Sequence, residues 1–190
     1  MSFLDTSSLV LHVLAATAIV GGGIVQVMAG ARVRSATTGR DLAQWASFAR
    51  AGGLVVLVAA LLSLLTGGHL AGAVWGGDRG GFENAFITVG LVGWLLLLPI
   101  GPMIGGARLR RLAEAADALG ADTVPPALAS EARSPALWGP ITSLLGAAAG
   151  LVWLMEAKPG WGVAVAGLLV WFVVGWVAGV VLAGRTSTGS

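Results

Sequence analysis

Cysteine and tyrosine are absent from this chain of 190 residues, and lysine occurs once, at Lys158. The lack of cysteine excludes disulfide bonds and metal sites built on thiolates. Charged residues make up only 11% of the chain, against roughly 25% in an ordinary soluble domain. Hydrophobic residues make up 56%, and the mean hydropathy is +0.88. A surface this poor in charge predicts a protein that is solvated by lipid rather than by water.

Other absences narrow the function. The sequence has no phosphate-binding glycine loop, HExxH or GxSxG motif, so we assign no catalytic residue and expect a non-catalytic protein. No Asp, Glu, Lys or Arg lies near the middle of an apolar segment, where ion pumps usually carry one, so active ion transport is not expected. The arginines flank the apolar segments, and we expect no nucleic-acid partner.

Five apolar segments are long enough to cross a membrane, which takes about 20 residues. They predict an all-α membrane protein, a bundle of five transmembrane helices in a single domain, residues 1–190. The leader before the first segment contains Asp5 but no Lys or Arg, which predicts a retained helix rather than a cleaved signal peptide. The predicted spans are residues 9–30, 51–71, 85–105, 136–155 and 162–183.

The basic residues are unevenly divided between the two ends of these spans. The positive-inside rule assigns the arginine-rich side to the cytoplasm, with the N-terminus outside and the C-terminus in the cytoplasm. This orientation requires an odd number of spans. Together with the Ala, Gly, Val and Arg bias, it predicts a multi-pass protein of the bacterial inner (plasma) membrane. Of the 11 basic residues, Arg32, Arg34, Arg40, Arg50, Arg108, Arg110, Arg111, Arg133 and Arg185 lie on the cytoplasmic side, and Arg79 and Lys158 on the other.

The second arginine-rich loop, residues 108–135, starts with a helical pattern. Leu109, Leu112, Ala116 and Leu119 fall near one face of a helix, with charged residues elsewhere. We predict that the third span continues into the cytoplasm as an amphipathic helix, followed by a proline-containing loop.

Small and polar residues predict how the spans pack. In lipid, helices associate where small residues allow close approach, and polar groups within the hydrocarbon face the bundle interior. The first two spans each carry such a stripe, and we expect the stripes to meet. They are Ser8, His12, Ala15, Ala16, Gly22, Gly23 and Gln26 on the first span, and Gly52, Ala59, Ser63, Thr66 and His69 on the second.

The last two spans each carry a GxxxG pair, Gly146 with Gly150 and Gly175 with Gly179. Two such faces on neighbouring helices predict that these spans pack against each other. The competing use is association with a second copy of the chain or with another membrane protein, and the sequence leaves both uses open. The hydrophobic, charge-poor composition also predicts that the lipid bilayer is a partner of this chain.

The two histidines are the residues best suited to carry chemistry. The predicted topology brings His12 and His69 to a similar depth near the outer surface, where Asp5 and Glu156 also lie. Three interpretations stay open. One or both imidazoles hold a haem b; His12, His69 and Glu156 hold copper or another metal; or the histidines simply form hydrogen bonds with water, hydroxyl groups or carbonyl groups.

Several segments resemble known membrane families. The opening LVLHVLAATAIVGGG and the later LLSLLTGGHLAG resemble helices of bacterial membrane proteins related to copper-resistance D. GWLLLLPIGPMIGGARLRRLAEAA and LVWLMEAKP resemble more closely an uncharacterised family, domain of unknown function 2269, through Trp94, Pro99, the basic exit 110–113 and the ending 154–159. This resemblance covers residues 8–158 and implies a helical membrane bundle without an established activity, to which the fifth span is an addition.

A more distant resemblance is to the bacterial membrane-bound, haem-containing protoporphyrinogen oxidase, which has an early Leu-His pair in its first helix. It implies that His12 is a haem ligand. The lysine of that family has no counterpart here, because Lys158 lies in a predicted outer loop.

The sequence therefore predicts first a non-catalytic membrane protein that serves as an accessory or interaction subunit. The alternative is a redox membrane protein that binds haem b or a metal through His12 and His69. A further alternative is a copper or small-solute permease, although Met28, Met103 and Met155 do not line one path in the predicted topology.

Overall fold

The computed structural model describes residues 2–77 and 81–184. Five helical segments of these ranges are long and apolar enough to cross a membrane. The predicted all-α bundle of five transmembrane helices is confirmed. Arg79 and Arg185, which entered the comparison of the two sides, lie outside the described residues. The helices are α1 (Phe3–Ser35), α2 (Gly39–Ala73), α3 (Ala85–Leu97), α4 (Ala107–Asp117), α5 (Pro126–Ala132), α6 (Pro135–Ala157) and α7 (Trp161–Gly184).

The first two helices extend beyond the apolar runs that predicted them. α1 begins early because Ser2 and Asp5 form a capping box, in which the Asp5 amide donates to the Ser2 hydroxyl at 3.1 Å and the Ser2 amide to the Asp5 carboxylate at 2.7 Å. α2 begins at Gly39, where the Thr38 side chain caps the helix. Caps, rather than hydropathy, set these helix ends.

The third span changes its hydrogen-bond pattern partway along. Pro99 and Pro102 lack the N–H group that an α-helix donates to the carbonyl four residues earlier. After α3 the chain passes through a turn into a π-helical segment, Gly101–Gly106, and α4 follows directly. The prolines therefore shift the register of the span rather than end it, and the whole segment runs from Ala85 to Asp117.

Two antiparallel helix pairs, α1–α2 and α6–α7, form most of the bundle. α6 also packs against α1, which joins the pairs, while α3 lies against α6 and α7. Two apolar clusters fill the interior of the membrane region. One is Ala85, Phe86, Val89, Ala147, Leu154, Ala164 and Leu168, and the other is Ile19, Ala59, Ala60, Trp94 and Ala148.

The α1–α2 turn and the α4–α5 connection meet at one end of the molecule, which we call the arginine-rich end. Thr38 and Thr123 form an isolated antiparallel bridge there. The backbone amide of Gly39 donates to the carbonyl of Asp122 at 2.9 Å. These contacts between residues 37–40 and 120–124, the clasp, hold the two arginine-rich loops on the same side of the bundle.

Under the clasp lies the third apolar cluster, to which α1, α2, α4, α6 and the end of α7 contribute. The Leu109 and Leu112 side chains of α4 are fully buried in it. Which face of a membrane this end occupies, and hence the orientation of the two termini, stays a prediction. The cluster is Ala29, Val33, Leu42, Ala43, Ala46, Ala49, Leu109, Leu112, Ala116, Val124, Ala132, Leu137, Trp138, Ile141 and Ala183.

Trp138 anchors this cluster. Its side chain is fully buried, and its indole N–H donates to the Ala132 carbonyl at 2.7 Å. The Arg34 guanidinium lies 4.9 Å from the ring centroid, close enough for a cation–π interaction. Gly30 makes room for the ring, since a Cβ atom there would lie 2.6 Å from the Trp138 Cη2 atom.

The outer face of the bundle is apolar along its length. Leu14 in α1, Leu54 in α2 and Leu169 in α7 are 59%, 61% and 59% exposed. A water-soluble monomer rarely exposes continuous apolar surface of this extent. The exposed face thus agrees with a protein embedded in lipid.

Candidate functional site

A groove with a volume of about 550 Å³ lies between α1, α2, α6 and the segment that joins α3 to α4. Binding sites for small molecules span roughly 300–1,000 Å³. The deep end of the groove reaches Ala60 and Trp94, near the middle of the bundle. Its wall includes Leu54, which is 61% exposed, so the groove opens outward beside α2.

Polar side chains are concentrated toward the other end of the groove. Gln26 lines the wall there, and its Nε2 atom donates to the Ala49 carbonyl at 3.1 Å. Arg50 from α2 and Arg110 from α4 line the same end. Along α2, the ten residues from Ala60 to Arg50 correspond to about 15 Å. The groove is therefore long, apolar at one end and cationic at the other.

Glycines give the groove its shape. A Cβ atom at Gly53 would lie 2.6 Å from Gln26 Nε2, and one at Gly23 would lie 2.8 Å from Leu145 Cδ1. These glycines allow α1, α2 and α6 to approach closely while the Gln26 side chain lies between helices. The π-helical segment contributes Gly101 and neighbouring residues to the opposite wall. Such segments occur frequently at functional sites.

His12 lies between α1 and α2, as expected from the two stripes. Its Nδ1 atom is 3.0 Å from the Ser63 carbonyl oxygen and 3.1 Å from Thr66 Oγ1. The Thr66 hydroxyl donates its own hydrogen to the Leu62 carbonyl at 2.8 Å. The Ser63 hydroxyl also lies 3.4 Å from Nδ1. Because the carbonyl can only accept, Nδ1 carries the proton and the neutral ring has its lone pair on Nε2. The predicted meeting of the stripes is confirmed at this point.

His69 has a different partner. Its Nε2 atom lies 3.2 Å from the Asp5 Oδ1 atom, and both side chains are partly exposed. A carboxylate only accepts hydrogen bonds, so Nε2 of His69 carries a proton in this arrangement. The structure thus brings Asp5 to His69, as the sequence predicted. Among the described residues, only the Nε2 atom of His69 has a hydrogen-bond partner, and its Nδ1 atom has none.

The structure does not assemble the three residues considered for a metal. Within residues 2–77 and 81–184, no group of three His, Asp or Glu side chains is placed to hold a metal ion. Glu156 is exposed near the end of α6. His12 and His69 bond to separate partners on the α1–α2 interface. The described residues therefore offer single imidazoles rather than a chelating cluster.

The GxxxG glycines lie inside the chain's own α6–α7 interface. A Cβ atom at Gly146 would lie 2.9 Å from the Gly175 Cα atom, and one at Gly179 would lie 2.9 Å from the Gly139 Cα atom. Gly150 faces the Trp171 side chain. The predicted packing of the last two spans is confirmed, and the close-approach surface of these glycines is occupied within one molecule.

Comparison with known proteins decides the family. A family model described as "Predicted integral membrane protein (DUF2269)" matches residues 8–159. The chain belongs to this family. No curated protein and no solved structure matches it. The distant resemblances to copper-resistance D proteins and to the haem-containing oxidase are not supported by these comparisons.

The DUF2269 region runs from residue 8, within α1, past the end of α6, and it includes the groove and both histidines. α7 lies beyond the matched residues, as expected from the resemblance. Sequence reasoning identified Gln26 and the small-residue stripes but treated Arg50 and Arg110 as markers of orientation only. Their convergence on one groove depends on how α4 packs against α2, which no local pattern encodes.

Proposed function

We propose that this DUF2269 protein is a non-catalytic membrane protein that binds a ligand with an apolar chain in the groove. The observation that carries the proposal is the groove itself, with a volume of about 550 Å³ and an exposed opening beside Leu54. Ligand binding is a different role from the accessory or interaction subunit predicted from the sequence. The accessory role with a protein partner stays a prediction.

Packing favours a bound apolar chain in the groove. An unfilled apolar groove forfeits the dispersion contacts that its wall atoms would otherwise make. A lipid chain can enter the groove without a hydrophobic penalty, because it is as apolar as the groove wall. A chain that fits the groove gains contacts on several sides, whereas a chain on a convex helix surface contacts the protein on one side. The groove is therefore expected to hold a ligand more tightly than the surrounding surface holds lipid.

The proposal is tested by filling the groove. Leu57 lines it and is half-buried, so the Leu57→Trp side chain should occupy the ligand volume. Leu65 lies on the same helix outside the groove wall and is 73% exposed, so Leu65→Trp is the matched control. Native mass spectrometry of the detergent-purified protein should show retained lipid on the wild type and on Leu65→Trp, and a several-fold loss on Leu57→Trp. Equal retention by the two variants would contradict the proposal.

A second candidate function, haem or metal binding through His12, is supported by one hydrogen bond. The Ser63 carbonyl fixes Nδ1 of His12 as the donor, which leaves the Nε2 lone pair free, and histidine ligands are typically oriented in this way by a carbonyl. His69 fits less well, because its Nε2 atom pairs with Asp5. His12 would therefore be the residue that holds a haem b, and the bound group would supply redox chemistry.

An absorption spectrum tests this second candidate. Protein expressed with haem available should show a Soret band after purification, and His12→Ala should abolish it while His69→Ala should retain it. A colourless preparation, or a band that survives His12→Ala, counts against it. The copper or small-solute permease stays a prediction. Met28 and Met103 are 67% and 72% exposed and do not line the groove.

A further inference from the structure

We propose that the ligand of the groove is an anionic phospholipid, whose headgroup phosphate binds Arg50 and Arg110. This inference rests on the proposed binding function and names the ligand of the same groove. Two arginines distant in sequence, one on α2 and one on α4, line one end of a single groove whose remaining wall is mainly apolar.

The charge at this end is not neutralised within the protein. Arg110 Nε lies 4.0 Å from Glu114 Oε1, and both side chains are more than half exposed, so this contact is weak. In the part of the chain that the structure describes, Arg50 has no carboxylate within 4.0 Å. The cationic end of the groove therefore carries a net positive charge toward any ligand headgroup.

The donor chemistry fits a phosphate diester. A guanidinium presents a planar fork of N–H donors that matches phosphate oxygens, and it keeps its charge at any physiological pH. Ser47 lines the same end and adds a hydroxyl group. Among the described residues, no Asp or Glu lines the groove wall, and Glu114, 4.0 Å from Arg110 Nε, lies outside it. An anionic headgroup thus meets donors on the wall itself.

The length of the groove distinguishes a lipid from a free anion. From the Arg50 end it extends along α2 to Ala60, a rise of about 15 Å, and its deep wall is formed by Trp94 and neighbouring apolar side chains. A free phosphate ion would leave this apolar portion unfilled. A phospholipid satisfies both ends, with its phosphate at the arginines and an acyl chain toward Trp94.

The positive-inside rule accounts for arginines at this end of the molecule but not for their placement in the groove. Arg108 and Arg111 lie on the same helix as Arg110, and neither lines the groove. They provide a matched control, because their removal changes the net charge of the arginine-rich end by the same amount. If removal of Arg50 and Arg110 changes lipid binding and removal of Arg108 and Arg111 does not, the effect arises from the groove and not from the overall charge.

The experiment uses the full chain exchanged into mixed micelles with equal amounts of phosphatidylglycerol and phosphatidylcholine, and bound lipid is counted by native mass spectrometry. The wild type should retain phosphatidylglycerol preferentially. The double variant that combines Arg50→Gln and Arg110→Gln should reduce that preference by about fivefold for each arginine removed. Arg108→Gln with Arg111→Gln should leave it unchanged, and excess inorganic phosphate should not displace the bound lipid.

The outcomes separate this inference from the proposed function. If Leu57→Trp loses bound lipid but the Arg50 and Arg110 variant keeps the preference for phosphatidylglycerol, the groove binds lipid and the headgroup assignment is wrong. Displacement by inorganic phosphate, or an equal loss of preference in the control pair, also overturns the assignment. If Leu57→Trp retains lipid as the wild type does, the binding function itself fails.

Discussion

The two antiparallel helix pairs of the bundle are joined by different chemistry. In α1–α2, side chains cross the interface, with His12 Nδ1 donating to the Ser63 carbonyl at 3.0 Å and Gln26 Nε2 to the Ala49 carbonyl at 3.1 Å. In the described part of α6 and α7, no side-chain hydrogen bond joins the two helices. The Thr142 and Ser143 hydroxyls donate within α6 itself.

In α6–α7 the two helices are joined by close contact of their backbones instead of side-chain hydrogen bonds. Cβ atoms at Gly146 and Gly175 would meet main-chain atoms of the partner helix, at 2.9 Å from the Gly175 Cα and Ser143 Cα atoms respectively. In α1–α2 a Cβ atom at Gly22 would meet a side chain, Val56, at 2.7 Å. Side chains adjust by rotation and a backbone does not. The α6–α7 pair is therefore expected to tolerate substitution less well.

The largest expected effect is in α6–α7. Gly175→Ala would push the helices apart, since the space beside Gly175 is filled by backbone, and we expect a loss of about 3 kcal/mol in the free energy of unfolding. Unfolding in mixed micelles with increasing dodecyl sulfate measures it. Gly162→Ala is the control on the same helix, because a Cβ atom there meets nothing within 4 Å. Equal stability of the two variants would refute the backbone-contact account.

A smaller effect is expected for the corresponding change in α1–α2. Gly22→Ala should cost about 1 kcal/mol, because Val56 must rotate or shift to admit the new methyl group. Gly21→Ala next to it should have little effect, since its Cβ atom would meet nothing within 4 Å. The same unfolding titration applies. A loss at Gly22 as large as that at Gly175 would remove the distinction between the two pairs.

Removal of an interhelical hydrogen bond should matter less than either glycine. Gln26→Leu removes the donor to the Ala49 carbonyl, and such bonds in membrane helices contribute about 0.6 kcal/mol on average. The measurement is again the free energy of unfolding, with Gln26→Glu as a second variant that keeps the size of the side chain. A loss above that of Gly22→Ala would mean that hydrogen bonds, not close packing, dominate α1–α2.

The smallest effect is expected at the exposed end of the same interface. Asp5→Asn keeps a side-chain oxygen for the capping box but weakens the contact with His69, which is partly open to water. We expect a change in melting temperature close to the error of the measurement. A large decrease would show that this pair stabilises the α1–α2 interface despite its exposure.

The sequence predicted the parts of the fold that follow from local pattern. The five spans follow from hydropathy, and the glycine contacts of α6–α7 follow from the spacing of Gly146, Gly150, Gly175 and Gly179. The helix ends were less accessible, because α2 continues to Gly39, well outside its apolar run, where the helix packs under the clasp. That part of the helix is buried by contacts with other parts of the protein rather than by lipid, and a hydropathy profile does not detect such contacts.

The candidate groove could not be predicted from the sequence, for a different reason. Its walls come from four separate parts of the chain, and its shape depends on the π-helical shift between Gly101 and Gly106. Prolines at 99 and 102 predict a disturbance in the third span but not its form. The proximity of His69 and Asp5 was easier to predict, because the topology placed both residues at one end of the bundle, but their hydrogen bond was not predicted.

The clasp has a consequence for biosynthesis. The amides of Gly39 and Arg40 donate to the Asp122 and Gly120 carbonyls, which are made some eighty residues later in translation. Until the α4–α5 connection has been synthesised, the turn between the first two helices lacks these acceptors. The clasp can therefore form only after α4 has been made, although α1 and α2 are complete much earlier in translation.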